Sequence, residues 1–389
     1  MFEGIKNINS IRRIRKTMWY SRLRQYFPMP EPKYVDDRGR LNGAEIVSIP
    51  WPAYIKKPIF GIVQDADQYP KWTRYRRFLE NNSFDFGFYS IHHYDWIEQA
   101  KRFDVIIGVP SNTFYDLSEI RSKYEVLETH MGKKCYPSPF HMRLYEDKCL
   151  EAYISQIAGL PFATTYISQS KEDILQLLKN IKYPLVSKII PSSGSQGVEL
   201  VHTVEKGCQI VKQAFSRSGR KTHMISYRQK NLVCFQEFIP NDGYDIRVIV
   251  VGNQIFGFYR KVPQGDFRAS GMNIEEMREL PVEAMKIAMR VNKIIKSPAL
   301  AVDILHGLDG KYYIIEFSPN FQVATSAELK LKGKPGVNIL DEDGAYHFKE
   351  GRYWIDELAL REFLIRDYLP GVIKNDVPAG SVINEPALY

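Results

Sequence analysis

From Ile59 the chain alternates short apolar runs with helical periods. "IFGIVQD" is an uninterrupted apolar run, "QYPKWTRYRRFLENN" spaces its apolar residues as a helix does, and "FDFGFYSI" is a second strand. "HHYDWIEQAKRF" is a second helix, and "DVIIGVP", from Asp104, a third strand ending in a turn. This alternation predicts a parallel sheet with crossover helices. Ligands of such sheets sit at the carboxyl ends of the strands. Asp65, Asp67, Pro110 and Ser111 fall there, and a turn-forming role explains each of them equally well.

The texture changes near His141. "YEDKCLEAYISQIAGLPFATTYIS" predicts a helix stopped at Gly159, Leu160 and Pro161, then a strand; "KEDILQLLKNI" is a helix with Ile174, Leu177 and Leu178 inward. "YPLVSKII" is a strand that runs through the Gly/Ser-rich "PSSGSQG" into another strand, completing a small α+β lobe. A third unit opens with "NLVCFQEFIP" and continues as "YDIRVIVVGNQIFGFYRK", two alternating strands joined at Gly252-Asn253, a strong hairpin signal. "NIEEMRELPVEAMKIAMRVNKIIK" reads as a long helix, interrupted or restarted at Pro281, and "ALAVDILHGLDGKYYIIEFSPNF" as a second hairpin turning at Asp309-Gly310. From Tyr353 a further amphipathic helix leads to a tail. The expected divisions are an arm and Pro-rich linker over 1–55, an α/β domain over 56–140, a small lobe over 141–235, a C-terminal lobe over 236–375 and a tail over 376–389.

Length and composition agree with two or three globular domains: 389 residues, 44% hydrophobic and 25% charged. No run approaches the ~20 apolar residues that span a bilayer, and the N-terminus lacks an apolar signal core, so a soluble, cytoplasmic protein is expected. Cys135, Cys149, Cys208 and Cys234 form no CxxC pair and are expected as buried free thiols. The net charge of +8 is concentrated: Lys6, Arg12, Arg13, Arg15, Lys16, Arg22 and Arg24 against Glu3 give +6 within residues 1–27, leaving +2 for the rest. Ile8, Ile11, Ile14 and Met18 recur there at helical spacing. Such a basic amphipathic helix either attaches to an anionic membrane face or acidic polymer, or packs on its own protein or a partner subunit. Near charge balance elsewhere, with no aromatic-basic repeat, argues against nucleic-acid binding.

Three local patterns carry chemistry. A Gly/Ser loop (Ser193, Gly194, Ser195, Gly197) after the strand lysine Lys188 offers N–H groups and a point charge to a polyphosphate, although an ordinary hairpin loop has the same texture. Asp303 in "AVDIL" and Glu316 in "YIIEF" are acids inside apolar strands, where an unpartnered carboxylate is costly. A divalent cation would satisfy both, and so would an arginine or lysine. The loop "YRKVPQGDFRASG" adds Arg260, Lys261 and Arg268 around a turn, which is either a solvated basic turn or a holder of negative charge.

Taken in order, these motifs resemble the RimK-like branch of the ATP-grasp superfamily, over about 145–320, preceded by a domain similar to the family's pre-ATP-grasp domain. The fold implied is α/β and α+β: a parallel-sheet domain followed by a two-lobe ATP-grasp fold. Carried over by motif, Lys148 of "DK" and Lys188 would contact ATP phosphates, the Gly/Ser loop would cover them, and Glu237, Phe238 and Ile239 of "QEFI" would hold adenine. Asp245 would stand near the nucleotide, Asp303 and Glu316 would bind Mg²⁺, and Arg260, Lys261 and Arg268 would serve the reacting groups. Two positions depart from the family. Its Glu-x-Asn has become Glu316-Phe317-Ser318, so that either Ser318 or Asn320 completes the metal site, and its "FRSN" has become "FRAS" with Ala269 and Ser270. The implied activity is ATP-dependent ligation of a carboxylate to an amine through an acyl phosphate, the acceptor being a uronic acid of a surface polysaccharide or another acidic group. The alternatives are a kinase on the same scaffold or an ATP-binding protein without turnover. The sequence does not set the oligomeric state; homodimers are common for this kind of fold.

Overall fold

The computed structural model describes residues 17–24, 26–27, 42–65, 70–110, 114–190, 197–224, 227–269, 274–322, 330–331, 333–341 and 344–376. Ile8, Ile11, Ile14, Asp67, Ser111, Ser193, Gly194, Ser195 and Ser270 lie outside them. The described residues form two compact units, one drawn from Lys33–Pro139 and Gly351–Tyr389, the other from Met1–Pro32, Phe140–Gln322 and Glu328–Glu350. No helix among the described residues is long and apolar enough to cross a membrane. In the second unit the described part of the arm forms α1 (Met18–Arg24). Arg22 there donates to the carbonyls of Thr222 at 3.1 Å and Met224 at 3.2 Å, a contact with the chain itself.

The first unit is the parallel sheet. Strands β1 (Phe60–Val63), β2 (Phe86–Tyr89), β3 (Val105–Ile107) and β4 (Lys134–Tyr136) lie in the order β2-β1-β3-β4, all parallel. Helices α2 (Lys71–Asn81), α3 (Trp96–Ala100) and α4 (Phe114–Thr129) are the crossovers. Every residue of β1 and β3 is buried, as expected of strands covered on both faces. Strand β4 and helix α4 are additions to the three-strand expectation, and the second predicted helix shortens to five residues. Where β3 ends, Gly108 has φ +107° and a Cβ there would sit 2.4 Å from the Val63 carbonyl oxygen. Gly108→Ala is therefore expected to cost about 2–3 kcal/mol, read from the urea midpoint.

The second unit begins with α5 (Pro139–Leu144) and α6 (Lys148–Ile157). Its small lobe has strands β5 (Thr165–Ser168), β6 (Leu185–Lys188) and β7 (Val198–Val201), helices α7 (Lys171–Leu177) and α8 (Val204–Ala214), the ribbon β8 (Arg220–Lys221) and β9 (Arg228–Gln229), and β10 (Val233–Glu237). The antiparallel sheet runs β5-β10-β6-β7. Ile174, Leu178, Ile210 and Val211 bury one face of it against Leu185, Val201, Val233 and Phe235. Strand alternation then turns Val186, Lys188 and Gln236 to the other face.

The large sheet contains β11 (Tyr244–Val251), β12 (Gln254–Lys261) and β13 (Glu275–Glu276), then, after α9 (Val282–Ile295), β14 (Ala299–His306), β15 (Tyr312–Ser318), β16 (Lys330–Leu331), β17 (Lys334–Leu340) and β18 (Tyr346–Glu350). Its main path is β15-β14-β11-β12-β17-β16. Both hairpins turn where expected. The long helix starts only after Pro281, which occupies the N-cap with extended backbone, while Glu275 and Glu276 pair with β12. Helix α9 covers Ile246, Val248, Val250, Leu300, Val302 and Ile304. Alternate residues of those strands are thereby left to the opposite face.

The C-terminal segment differs from its expected placement in the large lobe. Helix α10 (Ile355–Phe363), a π-helical turn (Leu364–Tyr368) and α11 (Leu369–Asp376) belong to the parallel-sheet unit. Fully buried Arg74 on α2 explains the docking, because it pairs with Asp356 at 2.7 Å and stacks over the Trp354 ring at 4.8 Å. Arg77 adds contacts of 2.8 Å to each oxygen of Glu357.

Candidate functional site

Within the second unit a cleft opens between the small-lobe sheet and the bare face of the large sheet, enclosing about 860 Å³ with its open mouth. Strand register builds one wall. Asp245 on β11 lies opposite Arg260 on β12, and Arg247 lies opposite Asp303 on β14, which in turn lies opposite Glu316 on β15. The last pairing needs the irregularity in register between Asp303 and Ile304. Ile314 and Phe317 both enter the core although three residues apart, which strict alternation forbids. The bulge absorbs the extra residue and leaves Glu316 beside Asp303 on the cleft side.

The acids are partnered in two ways. Arg247 forks Asp303 with two contacts of 2.8 Å, and Arg260 reaches the same carboxylate at 2.7 Å. Arg260 also forks Asp245 at 2.6 and 2.9 Å. Burial opposes the charged form of Asp303, yet the two arginines hold its pKa well below the usual carboxylate range. Burial likewise opposes the charge of Arg260, and Asp245 and Asp303 outweigh it. Glu316 is different. It faces Lys148 Nζ at 2.7 Å and, at 30% exposure, is the more open of the two acids.

The lysines come from the other wall. Asp147 caps α6, accepting from the amides of Cys149 at 3.1 Å and Leu150 at 3.0 Å, and so sets Lys148 as the first helical residue. Lys188, at the end of β6, donates to the Ile315 carbonyl at 3.0 Å. Burial alone would discharge both. For Lys148 the carboxylates of Glu151, Glu316 and Glu146 prevail and raise its pKa, whereas for Lys188 burial prevails and lowers it. Lys148 Nζ is buried and, despite its ion pair, makes no well-directed hydrogen bond.

The predicted residues distribute as follows. Lys148, Lys188, Glu237, Phe238, Ile239 and Asp245 line the cleft, with Arg260, Arg268, Asp303 and Glu316. The amides of Glu237 and Phe238 are taken by Thr164 O at 2.8 Å and Pro184 O at 3.3 Å. Gly197, at φ +72°, closes the Gly/Ser loop through its carbonyl, which accepts from Ile189 N at 3.2 Å. Lys261 does not line the cleft. It follows Arg260 on β12, so alternation turns it outward, 51% exposed, toward Glu276 and the Tyr244 ring. Ser318 and Asn320 are also absent from the lining: the Ser318 hydroxyl donates to Asn320 O at 2.6 Å and closes a local turn. Arg268 is forked to Asp266 through two contacts of 2.9 Å. All four cysteines are free, with Cys135 and Cys234 buried and Cys149 and Cys208 half-buried.

Glu151 is absent from the sequence candidates, and Arg247, which with Asp245 matches the family's "D-I-R" run, has no role among them. Arg247 lies two positions after Asp245 in "YDIR", a spacing that puts both on one strand face. Glu151 lies three positions after Lys148 on α6, one helical turn on, and its side chain is 1% exposed.

Comparison with known proteins places this architecture. Residues 146–339 match the RimK-like ATP-grasp domain, and through that segment the chain belongs to the RimK-like ATP-grasp family. It is an ATP-grasp ligase of the carboxylate–amine class, with ATP as its nucleotide. Glutamate–LysW ligase ArgX of Sulfolobus acidocaldarius is 26% identical over 242 residues, which is 59% of this chain and 79% of that protein. α-Aminoadipate–LysW ligase LysX of Saccharolobus solfataricus is 25% identical over 175 residues, 44% of this chain and 60% of that protein. A RimK-domain ATP-grasp protein from Sphaerobacter thermophilus superposes with a TM-score of 0.47 at 16% identity, covering 68% of this chain and 92% of that one.

The donor set fits a magnesium–nucleotide. Two buried lysines, one without a directed hydrogen bond, face a half-open carboxylate across the cleft. Mg²⁺ is commonly held by one or two carboxylates plus substrate phosphates, which suits Glu316, with Asp303 behind it.

Proposed function

We propose that this protein joins a carboxylate to the amine of an amino acid, activating the carboxylate as an acyl phosphate at the cleft between its two lobes. The observation that supports it is the convergence of Lys148, Lys188 and Glu316 on one cleft. In this reading the lysines hold the ATP phosphates, and Glu316 would hold Mg²⁺, which when bound would supply positive charge beside the transferring phosphoryl group. A substrate carboxylate oxygen attacks the γ-phosphorus and the bond to ADP breaks. The amine then attacks the acyl carbon, phosphate leaves, and the amine proton passes to solvent. On the same reading Arg268, 19% exposed at the lining and paired with Asp266, meets the substrate carboxylate, while Arg260, enclosed by Asp245 and Asp303, backs the site.

An amino acid as the amine is suggested by the relatives, one named for glutamate and one for α-aminoadipate. A uronic acid of a surface polysaccharide is the acceptor we favour, on the basic charge of residues 1–27. The test is a screen for ADP release with amino acids crossed against acidic sugars and acidic peptides, run with hydroxylamine. A hydroxamate accompanying ADP is expected, because hydroxylamine intercepts an acyl phosphate. Release of ADP with a phosphorylated hydroxyl and no hydroxamate would replace this reading with the kinase.

A further inference from the structure

Strand β15 is the outer strand of the large sheet, so one side of its backbone has no neighbouring strand. That side is occupied residue by residue. The Ile314 amide donates to Pro161 O at 2.8 Å, and the Ile314 carbonyl accepts from Ala163 N at 2.8 Å. Then two charged side chains take over. Lys188 holds the Ile315 carbonyl at 3.0 Å, and Glu151 Oε2 accepts the Phe317 amide at 3.0 Å. The backbone on either side of Glu316 is thus held by a lysine from β6 and a glutamate from α6. The other oxygen of Glu151 stands 3.6 Å from Lys148 Nζ, and Glu151 does not line the cleft.

We propose that Glu151 is a positioning residue of the nucleotide site: it anchors Lys148 from behind and fixes the strand that carries Glu316, so that the lysine keeps its place once Glu316 turns to magnesium. The inference rests on the assignment of Lys148 to phosphate and Glu316 to magnesium. Lys148 and Glu316 neutralise each other at 2.7 Å. Neither can serve a nucleotide until that pair loosens. A cation arriving at Glu316 repels the ammonium beside it, and a buried ammonium stripped of its counter-ion is costly. Glu151 and Glu146 are the other carboxylates that act on Lys148 and neither lines the cleft, so neither can follow the metal; Glu151 is the one that also holds the Phe317 amide. Two lysines and two glutamates then share the site, with Glu151 the member that remains bound to the protein.

Burial pushes the Glu151 pKa up to about 8 against the pull of Lys148. The test is therefore calorimetric binding at pH 9, where that carboxylate is charged, of MgADP, and of ADP in EDTA, to the full chain and to two variants. Glu151→Gln keeps an acceptor for the Phe317 amide and removes the anion. It should bind MgADP at least tenfold more weakly and ADP in EDTA no more than threefold more weakly, with Tm within about 2 °C of the parent. Once a substrate pair is in hand, its KM for ATP should rise by a similar factor with kcat changed less than threefold. Glu151→Asp keeps the anion but is one methylene short of both Phe317 and Lys148, so it should lose less MgADP affinity than Glu151→Gln while losing Tm. Equal losses with and without magnesium, no loss in Glu151→Gln, or loss in Glu151→Asp equal to that in Glu151→Gln would overturn the proposal. If the parent chain binds neither form of ADP, the site assignment beneath it falls as well.

Discussion

Lys188→Met is expected to reduce kcat/KM for ATP by about 10²–10³-fold, the loss usual when one preorganised donor to a developing charge is removed. The same change should leave Tm unaltered or raise it. Lys188 is buried, and burial lowers its pKa despite the help of Glu316. A lysine whose folded pKa lies below its unfolded value binds a proton less readily in the native state, so carrying its charge at neutral pH costs stability. Stability associated with Lys188 should therefore rise as pH climbs from the lowered folded pKa toward about 10.5. Methionine fills nearly the same volume and carries no charge, giving up the hydrogen bond to Ile315 O and the attraction of Glu316. Parallel measurement of MgADP affinity and thermal unfolding decides the matter. A variant that loses binding and Tm in proportion would show Lys188 to be a structural residue. By the same argument, alkaline pH should abolish nucleotide affinity through Lys188 earlier than through Lys148, whose carboxylate neighbours hold its proton.

Much of this site was visible before any fold was known, for a definite reason. Asp303 and Glu316 sit within apolar strand runs, and a carboxylate there must have a partner, so their importance follows from desolvation alone. Lys148 and Lys188 were recognised through neighbouring motifs, and both line the cleft. What could not be read was which partner each acid takes. That depends on cross-strand register: Arg247 faces Asp303 because β11 and β14 pair at those residues. The bulge beside Glu316 leaves no local signal either, since nothing in "YYIIEFS" distinguishes a regular strand from one displaced by a residue. Lys261 shows the opposite case. Alternation along β12 already separates it from Arg260, and a period-two reading of "FYRK" would have turned it outward. The C-terminal helices joined the parallel-sheet unit through Arg74 and Trp354, contacts about 280 residues apart in sequence that no periodicity reports.

The largest effect on folding is expected at Arg260, since this one guanidinium neutralises two carboxylates that are nearly inaccessible to water. Arg260→Met leaves Asp245 without its fork and Asp303 with Arg247 alone, which should cost about 3–5 kcal/mol at pH 7.5, the penalty of an uncompensated buried charge. The pH dependence separates this cause from simple loss of packing. In the parent, Asp303 has a folded pKa below its unfolded value, so its stabilisation is present above about pH 4 and fades only as pH falls through the depressed value. Asp245 already has its pKa raised by burial, against the pull of Arg260. Without Arg260 it rises further, and an acid whose folded pKa exceeds its unfolded one destabilises the fold progressively as pH climbs through that interval. Urea unfolding should accordingly show a deficit that is greatest at pH 7.5 and smaller at pH 5, and Arg260→Met combined with Asp245→Asn should recover part of it at pH 7.5. A deficit equal at both pH values would assign the loss to the missing side-chain volume and remove the charge network as its cause.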